Sequence, residues 1–564
     1  MSAQPRSFER FCLFAAGLVP AAVAVWWAPD VAPAERDAST IGALGFSFTG
    51  TGHVLDPLRG ALAKLLPIGT QCYRLAVLNA VIIGAFGVLF GHAMTRALAR
   101  FDPRASRLSS GVAMFATLAV TLSPAWQTEA ASVGGALLAT VLALTPRLLD
   151  PKRSPGAMLF SLILATVADP ITGLAGLVLV LASPAHRRAV PTSRTLLWGS
   201  GMVVAFVVLS VIGGRSHTHV TADALYTLTS THAYVAKVRS IVDTEWGVGS
   251  LAIAASGVVI AHLQGAGALV RSAIVLAASS LVLLGLGSAT AALLLSCVVA
   301  IGFAVLAHVV LLRVRHAKLA FARTSSGLIF VMLLAWPFAL ADMTSLRLTV
   351  HPVSARAQWD LLVLGGLPTK ALIVTEHAHF TRRLTALRVA RGVAVEAELL
   401  DPSSIKSPGS RSAALHMPGL ALWRDLYFEP HLGEFSLARD AAAHPLYLTR
   451  SKRLERPVLR HLVPDGLIFR VETEPRAQSD RRRVLEMSRP MRQMLIAATQ
   501  NAKDAVLTDL TASLLRAQAV ALASGGDRDL VPSLVEDLLR VRADHDFVDQ
   551  LKRRLDSAAV DELE

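Results

Sequence analysis

The chain has 564 residues, of which 53% are hydrophobic and 17% charged, with a mean hydropathy of +0.51. Soluble domains carry about 25% charged residues, and repeated apolar runs near the ~20 residues that cross hydrocarbon mark a polytopic α-helical membrane protein instead. The formal net charge of +14 does not point to nucleic acid, because much of the excess lies in short loops between apolar runs, where Lys and Arg set topology.

About eleven apolar runs read as spans, at 9–28, 74–96, 109–125, 129–146, 156–169, 171–184, 195–213, 247–263, 270–286, 289–312 and 325–343. No small-residue cleavage site closely follows the first, so it reads as an uncleaved anchor. The pair at 156–184 is broken by Asp169-Pro170 and could be one kinked or re-entrant element. Cations cluster on alternate connections: Arg6 and Arg10, Arg100 to Arg107, Arg147 to Arg153, Arg187 to Arg194, and Arg313 to Arg323. With a cytoplasmic N-terminus, all of these fall on the cytoplasmic side. The loop at 29–73, the loop at 214–246 and the tail then lie outside; for a bacterial inner membrane that side is the periplasm.

The loop at 29–73 carries Asp37 and a short amphipathic helix, roughly Val54 to Leu66. Leu55, Leu58, Leu62, Leu65 and Leu66 share one face, with Arg59 and Lys64 off it. Such a helix lies in the membrane interface and is too short to cross.

The tail has a different composition. Leu361–Gly366 and Ala371–Thr375 are short β-rich runs, a helical run follows at 378–391, Val393–Leu400 reads as another strand, and Pro445–Thr449 and Gly466–Glu472 are further apolar runs, an alternation that suggests a small α/β domain. The stretch 401–415 reads as loop. From about Asp480 the pattern is helical, and 505–556 reads as a hairpin broken at Gly525-Gly526, weakly like a tetratricopeptide unit. The expected organisation is a membrane domain at 1–344, an α/β extramembrane domain at 345–480 and a helical segment at 481–564. Cys12, Cys72 and Cys297 lie in or beside spans, so the tail needs no disulfide.

Several segments, in order, resemble the protein O-mannosyltransferase-like family of the GT-C class of membrane glycosyltransferases. RDAST (Arg36 to Thr40) is similar to the family's first-loop acidic motif, with Thr40 where the family has Glu. GHVLDPL keeps His53 but lacks the family's Pro-Pro-Gly. CYRLAVLNAV keeps Arg74, and LSPAWQTEAASV keeps Ser123, Pro124, Trp126 and Glu129. VADPIT places Asp169 where the family has a Gly-Asn-His-like element. ALIVTEHAHF, RVARGVAVEAELLD, HPLYLTR and LVPDGLIFRVE are similar to its extramembrane α/β domain.

The resemblance implies transfer of a sugar from a polyprenyl-phosphate donor to an acceptor hydroxyl, on a protein or glycan, outside the cytoplasm. It implies Asp37 as the base or a ligand of a divalent metal. Arg36, His53, Arg59, Arg74, Glu129 and Asp169 become candidate substrate contacts, the arginines because a guanidinium meets phosphate in bidentate fashion. Ionisable groups inside spans are costly, which singles out Glu129 and Asp169. Each has a plainer reading: Asp37 a solvated loop acid, Arg59 and Arg74 ordinary interface cations, Glu129 the end of a span, Asp169 the cap of a helix break. The eroded first-loop motif leaves a second expectation open, a non-catalytic membrane scaffold with a periplasmic interaction domain. His217-x-His219 with nearby acids is a weak metal pattern, and His92, His262 and His308 read as structural. The sequence contains no Gly-rich phosphate loop, nucleophile elbow or zinc signature.

Overall fold

A computed structural model describes residues chiefly within 4–28, 55–184, 247–316, 355–400 and 434–557. These form two compact units, one in the N-terminal part and one in the C-terminal part of the chain. Each is described by itself.

The N-terminal unit is helical. Its helices are α1 (Gln4–Trp26), α2 (Leu55–Lys64), α3 (Gln71–Leu98), α4 (Ser106–Thr121), α5 (Pro124–Ala131), α6 (Ala136–Leu148), α7 (Pro155–Ala168), α8 (Pro170–Leu181), α9 (Gly247–Leu263), α10 (Gly267–Gly285) and α11 (Thr290–His316). By length and composition, α1, α3, α10 and α11 can each cross a membrane, and α4 with α5 makes a further candidate span bent by 61°. The surface of this unit supports a membrane setting. Phe11, Phe14, Leu18 and Trp26 on α1, and Val81 on α3, are exposed, an apolar surface that water would not tolerate but lipid does. The expected spans at 195–213 and 325–343 lie outside the described residues.

The break at Asp169-Pro170 gives a hairpin of two short helices, of 14 and 12 residues. Met158 and Leu162 of α7 pack against Val180 of α8, so the chain doubles back there. Fourteen residues of helix rise only ~21 Å, short of the ~30 Å hydrocarbon layer. The sequence explains the break. Asp169 caps α8 by accepting from the Ile171 N–H (3.1 Å) and from the Thr172 hydroxyl, and Pro170 supplies the preset φ of a first helical residue.

The crossing of α9 and α11 depends on missing side chains at two points. A Cβ on Gly302 (α11) would collide with the carbonyl of Ala254 (α9), and one on Gly257 with the carbonyl of Gly302. Small residues let membrane helices approach backbone to backbone. Gly302→Ala should therefore destabilise by about 1–3 kcal/mol. Gly111→Ala on α4, where an added Cβ meets nothing within 4 Å, should instead be neutral or stabilise by up to ~1 kcal/mol through helix propensity. Thermal melting of the reconstituted proteins would show the opposite signs.

The C-terminal unit holds a five-stranded sheet in the order β2-β1-β3-β5-β4. The strands are β1 (Leu372–Val374), β2 (Glu398–Leu400), β3 (Leu446–Leu448), β4 (Leu462–Asp465) and β5 (Ile468–Val471). β1 pairs in parallel with β2 and β3, while β5 runs antiparallel to β3 and β4. Helices α12 (Glu434–Ala443) and α13 (Arg456–Leu459) lie in the connections. Four helices follow: α14 (Gln478–Ala502), α15 (Ala505–Ser524), α16 (Val531–Val541) and α17 (His545–Ser557). The expected break at Gly525-Gly526 is present: Gly525 caps α15, and Gly526 takes φ +95°.

One expectation is corrected. Residues 355–363 are helical, so Leu361–Gly366 does not begin as a strand. The helix wins because Trp359 and Val363, one turn apart, both enter the core, and Asp360 meets Arg383 through paired hydrogen bonds. β4 was not anticipated. It is an edge strand containing Pro464, closed to β5 by a turn in which Gly466 takes φ +62°, a conformation glycine adopts without strain. Helix α15 is apolar enough to cross a membrane by length and composition. Its packing makes it a core helix instead: Leu507, Leu514, Leu515 and Leu522 are buried in this unit, and the Gln518 amide lies 3.3 Å from the carbonyls of Gly466 and Ile468.

Candidate functional site

Helix α2 has the expected two-sided character, and the structure shows what each side meets. Leu58 and Leu62 are 58% and 49% exposed, whereas Arg59 is only 5% exposed and Ala63 is fully buried. The leucine stripe is thus left for lipid, and the arginine turns inward against α3. There its Nη2 donates to Asn79 Oδ1 at 2.8 Å, and Asn79 Nδ2 reaches the Glu129 carbonyl oxygen at 3.4 Å. Asn79 is fully buried and Glu129 is 3% exposed. Three helices, α2, α3 and α5, therefore meet at one junction that joins the Arg59 guanidinium, the Asn79 amide and the main-chain carbonyl of Glu129.

The kink between α4 and α5 presents Glu129 there. Gln127 Nε2 donates to the Thr121 carbonyl oxygen at 2.7 Å, bridging the break. Trp126 stacks on Phe86 at 4.3 Å between ring centres and donates to the Leu293 carbonyl oxygen at 3.1 Å. Ser123 Oγ lies 3.4 Å from Ser296 Oγ. The Ser-Pro-x-Trp segment thus fixes the bend on whose far limb Glu129 sits.

The other expected site residues separate. Arg74 is half-buried, and its Nε donates to the Ile68 carbonyl oxygen at 2.7 Å, stapling the turn before α3. Asp169 is the cap already described. Its partner Thr172 approaches Thr290 of α11 at 3.0 Å, and Thr140 of α6 lies 3.4 Å from the same hydroxyl. Asp37, Arg36 and His53 lie outside the described residues, as does the His217-x-His219 pattern. Among the described residues no three His, Cys, Asp or Glu side chains converge as a metal site.

Asn79 is the residue that sequence reasoning missed. A lone amide within an otherwise apolar run is the signal that could have found it, since unpaired polar groups are costly in hydrocarbon.

The C-terminal unit has a small hollow lined by Leu367, Tyr447, Asp465, Met491 and Leu495. Burial pushes the Asp465 carboxyl up from its ordinary value, with the Arg470 charge partly opposing. Burial pushes the Tyr447 phenol up as well, followed by the charge of Asp465. A carboxyl whose pKa is raised on folding favours the folded state when protonated, and that contribution is lost as pH rises through the raised value. Asp465→Asn should therefore melt higher than the parent protein at pH 7. The difference should shrink as pH falls towards the ordinary carboxylate value, where both proteins carry a neutral side chain. Melting curves across that range would check it.

No protein-family model matches the chain, and no curated protein matches it.

Proposed function

We propose that the chain is an integral membrane glycosyltransferase of the GT-C type. In this reading it has about eleven spans and a periplasmic α/β domain, and it transfers a sugar from a polyprenyl-phosphate donor to an acceptor hydroxyl outside the cytoplasm. The acceptor hydroxyl attacks the anomeric carbon and gives its proton to Asp37. The bond from that carbon to the phosphate oxygen breaks, and polyprenyl phosphate leaves with the electron pair. Arg59 stabilises the charge on the departing phosphate from the interface helix, and Glu129 helps hold that helix's site in place.

The observation that supports this reading most is the Arg59–Asn79–Glu129 junction. Placing a guanidinium and a carboxylate among apolar helices is expensive, and groups so placed commonly serve a substrate path. The lipid-facing leucines of α2 add to it, because a lipid-linked donor approaches from that side.

The non-catalytic scaffold remains the second reading, and specific observations favour it. Asp169 is occupied as a helix cap and Arg74 as a turn staple. The experiment is direct: reconstituted full-length protein is given a polyprenyl-phosphate sugar, and release of polyprenyl phosphate is followed. Donor consumption supports transfer. An intact donor across a panel of peptide and glycan acceptors favours the scaffold.

A further inference from the structure

One end of the helical unit gathers positive charge around an inward-turned arginine. Arg147 lies in the last turn of α6. Its Nη1 donates to Ser183 Oγ at 2.5 Å and to His186 Nδ1 at 3.0 Å. Its Nη2 donates to Ser272 Oγ at 2.6 Å and lies 3.4 Å from the Ala268 carbonyl oxygen. Ser183 and His186 follow α8, and Ala268 and Ser272 belong to the first turns of α10. The guanidinium therefore ties three helix ends together, and all of its acceptors are neutral. An arginine can only donate, so His186 Nδ1 is an acceptor and the ring proton of the neutral imidazole lies on Nε2. His186 is 5% exposed, and the backbone carbonyls of Pro146 and Leu149 lie beside its ring.

Further cations surround this knot. Arg96, near the end of α3, donates from Nη2 to the Leu148 carbonyl oxygen at 2.8 Å. Arg100 and Arg271 lie close enough to Arg147 to repel its charge. Both are exposed. Three carboxylates belong to the same region: Asp150, near His186, Asp102, two residues beyond Arg100, and Glu9, which lies with Arg96 near His92 of α3. The C-terminal ends of α3, α6 and α8 each offer a partial negative charge that offsets part of the excess. Four guanidinium groups still outnumber the carboxylates where apolar helices end, the depth at which lipid phosphates lie. The loop charges in the sequence make this the end expected to face the cytoplasm.

We propose that this end is a binding site for the phosphate diester of an anionic phospholipid, contacted by Arg100 and Arg271 over a floor formed by Arg147, Ser183, Ser272 and His186. Arg147 supplies field rather than contact, because both of its terminal nitrogens are already engaged. This inference is independent of the sugar-transfer reading.

The test uses full-length protein in nanodiscs of phosphatidylcholine with increasing phosphatidylglycerol. Two readouts are followed, the melting temperature and the phosphatidylglycerol retained in native mass spectrometry. Wild type should melt higher as phosphatidylglycerol rises and should carry it through purification. Arg100→Gln and Arg271→Gln should each weaken retention about fivefold, and the double variant should lose the melting shift, as expected for ~1 kcal/mol per arginine near an anionic surface. Arg107→Gln removes an equally exposed arginine, at the start of α4, and should keep both responses. Equal melting of all variants in pure phosphatidylcholine shows that the fold is intact. The proposal is overturned if wild type shows no shift, if the double variant responds like wild type, or if Arg107→Gln loses as much as the pair. It is also overturned if inorganic phosphate in phosphatidylcholine discs gives the full shift, since the ligand would then be soluble phosphate and not a lipid.

Discussion

Under the proposed reaction, an Asp37→Asn variant should lose sugar transfer by roughly 10²–10⁴-fold, the range that general-base catalysis contributes, while melting like the parent protein. The amide is nearly isosteric with the carboxylate but cannot take a proton from the acceptor hydroxyl. Arg59→Met should behave differently, lowering both activity and melting temperature. Arg59 is buried against α3 and its guanidinium bonds to Asn79, so truncation leaves a buried amide oxygen short of a donor, at a cost of about 1–3 kcal/mol. The two variants separate chemistry from architecture. If Asp37→Asn turns over donor at the parent rate, Asp37 is removed from the mechanism. If Arg59→Met keeps both its stability and its rate, the buried junction is not part of a site.

The largest stability effect is expected in the C-terminal unit. Arg492 of α14 and Asp537 of α16 form an ion pair at 2.6 Å, with side chains 1% and 4% exposed. Gln493 Nε2 donates to the other carboxylate oxygen at 2.7 Å. Replacing Arg492 by Met keeps much of the volume but takes from the buried carboxylate its main counter-charge, leaving Gln493 and Arg540, the latter at 4.0 Å, a loss of up to about 3–5 kcal/mol. Replacing both, as Arg492→Met with Asp537→Leu, removes the stranded charge and should recover most of that loss, because a buried pair often contributes little net stability over apolar neighbours of similar size. Urea or thermal unfolding of the two variants beside the parent would read the contrast. Equal loss in the single and double variants would mean that packing, not charge, sets the effect.

Much of the fold was legible in the sequence, and the reason is local. The apolar runs of α1, α3, α10 and α11 announce helices in lipid because length and composition alone decide whether a backbone can be satisfied there. The α2 stripe follows from the 3.6-residue period, and the Asp169-Pro170 break from the chemistry of a cap. In the tail, β1 falls in a β-rich run, and β3 and β5 fall in the two apolar runs that follow. The Asp-Gly pair at 465–466 is the local signal for the β4–β5 turn. The segment at 361–366 misled because its aliphatic run suits strand and helix alike, and only Trp359 and Asp360, reaching partners far along the chain, settle it.

What the sequence by itself determined is that the chain carries membrane-compatible apolar helices and a separate mixed α/β tail, since periodicity, length and capping act over a few residues. What only the tertiary structure decided is which polar groups meet. Arg59 and Asn79 are 20 residues apart, and Asn79 and Glu129 are 50; Arg147 gathers partners 36 to 125 residues away. No spacing rule encodes such meetings. They follow from how helices cross, and the crossings depend on close backbone approaches such as those at Gly257 and Gly302.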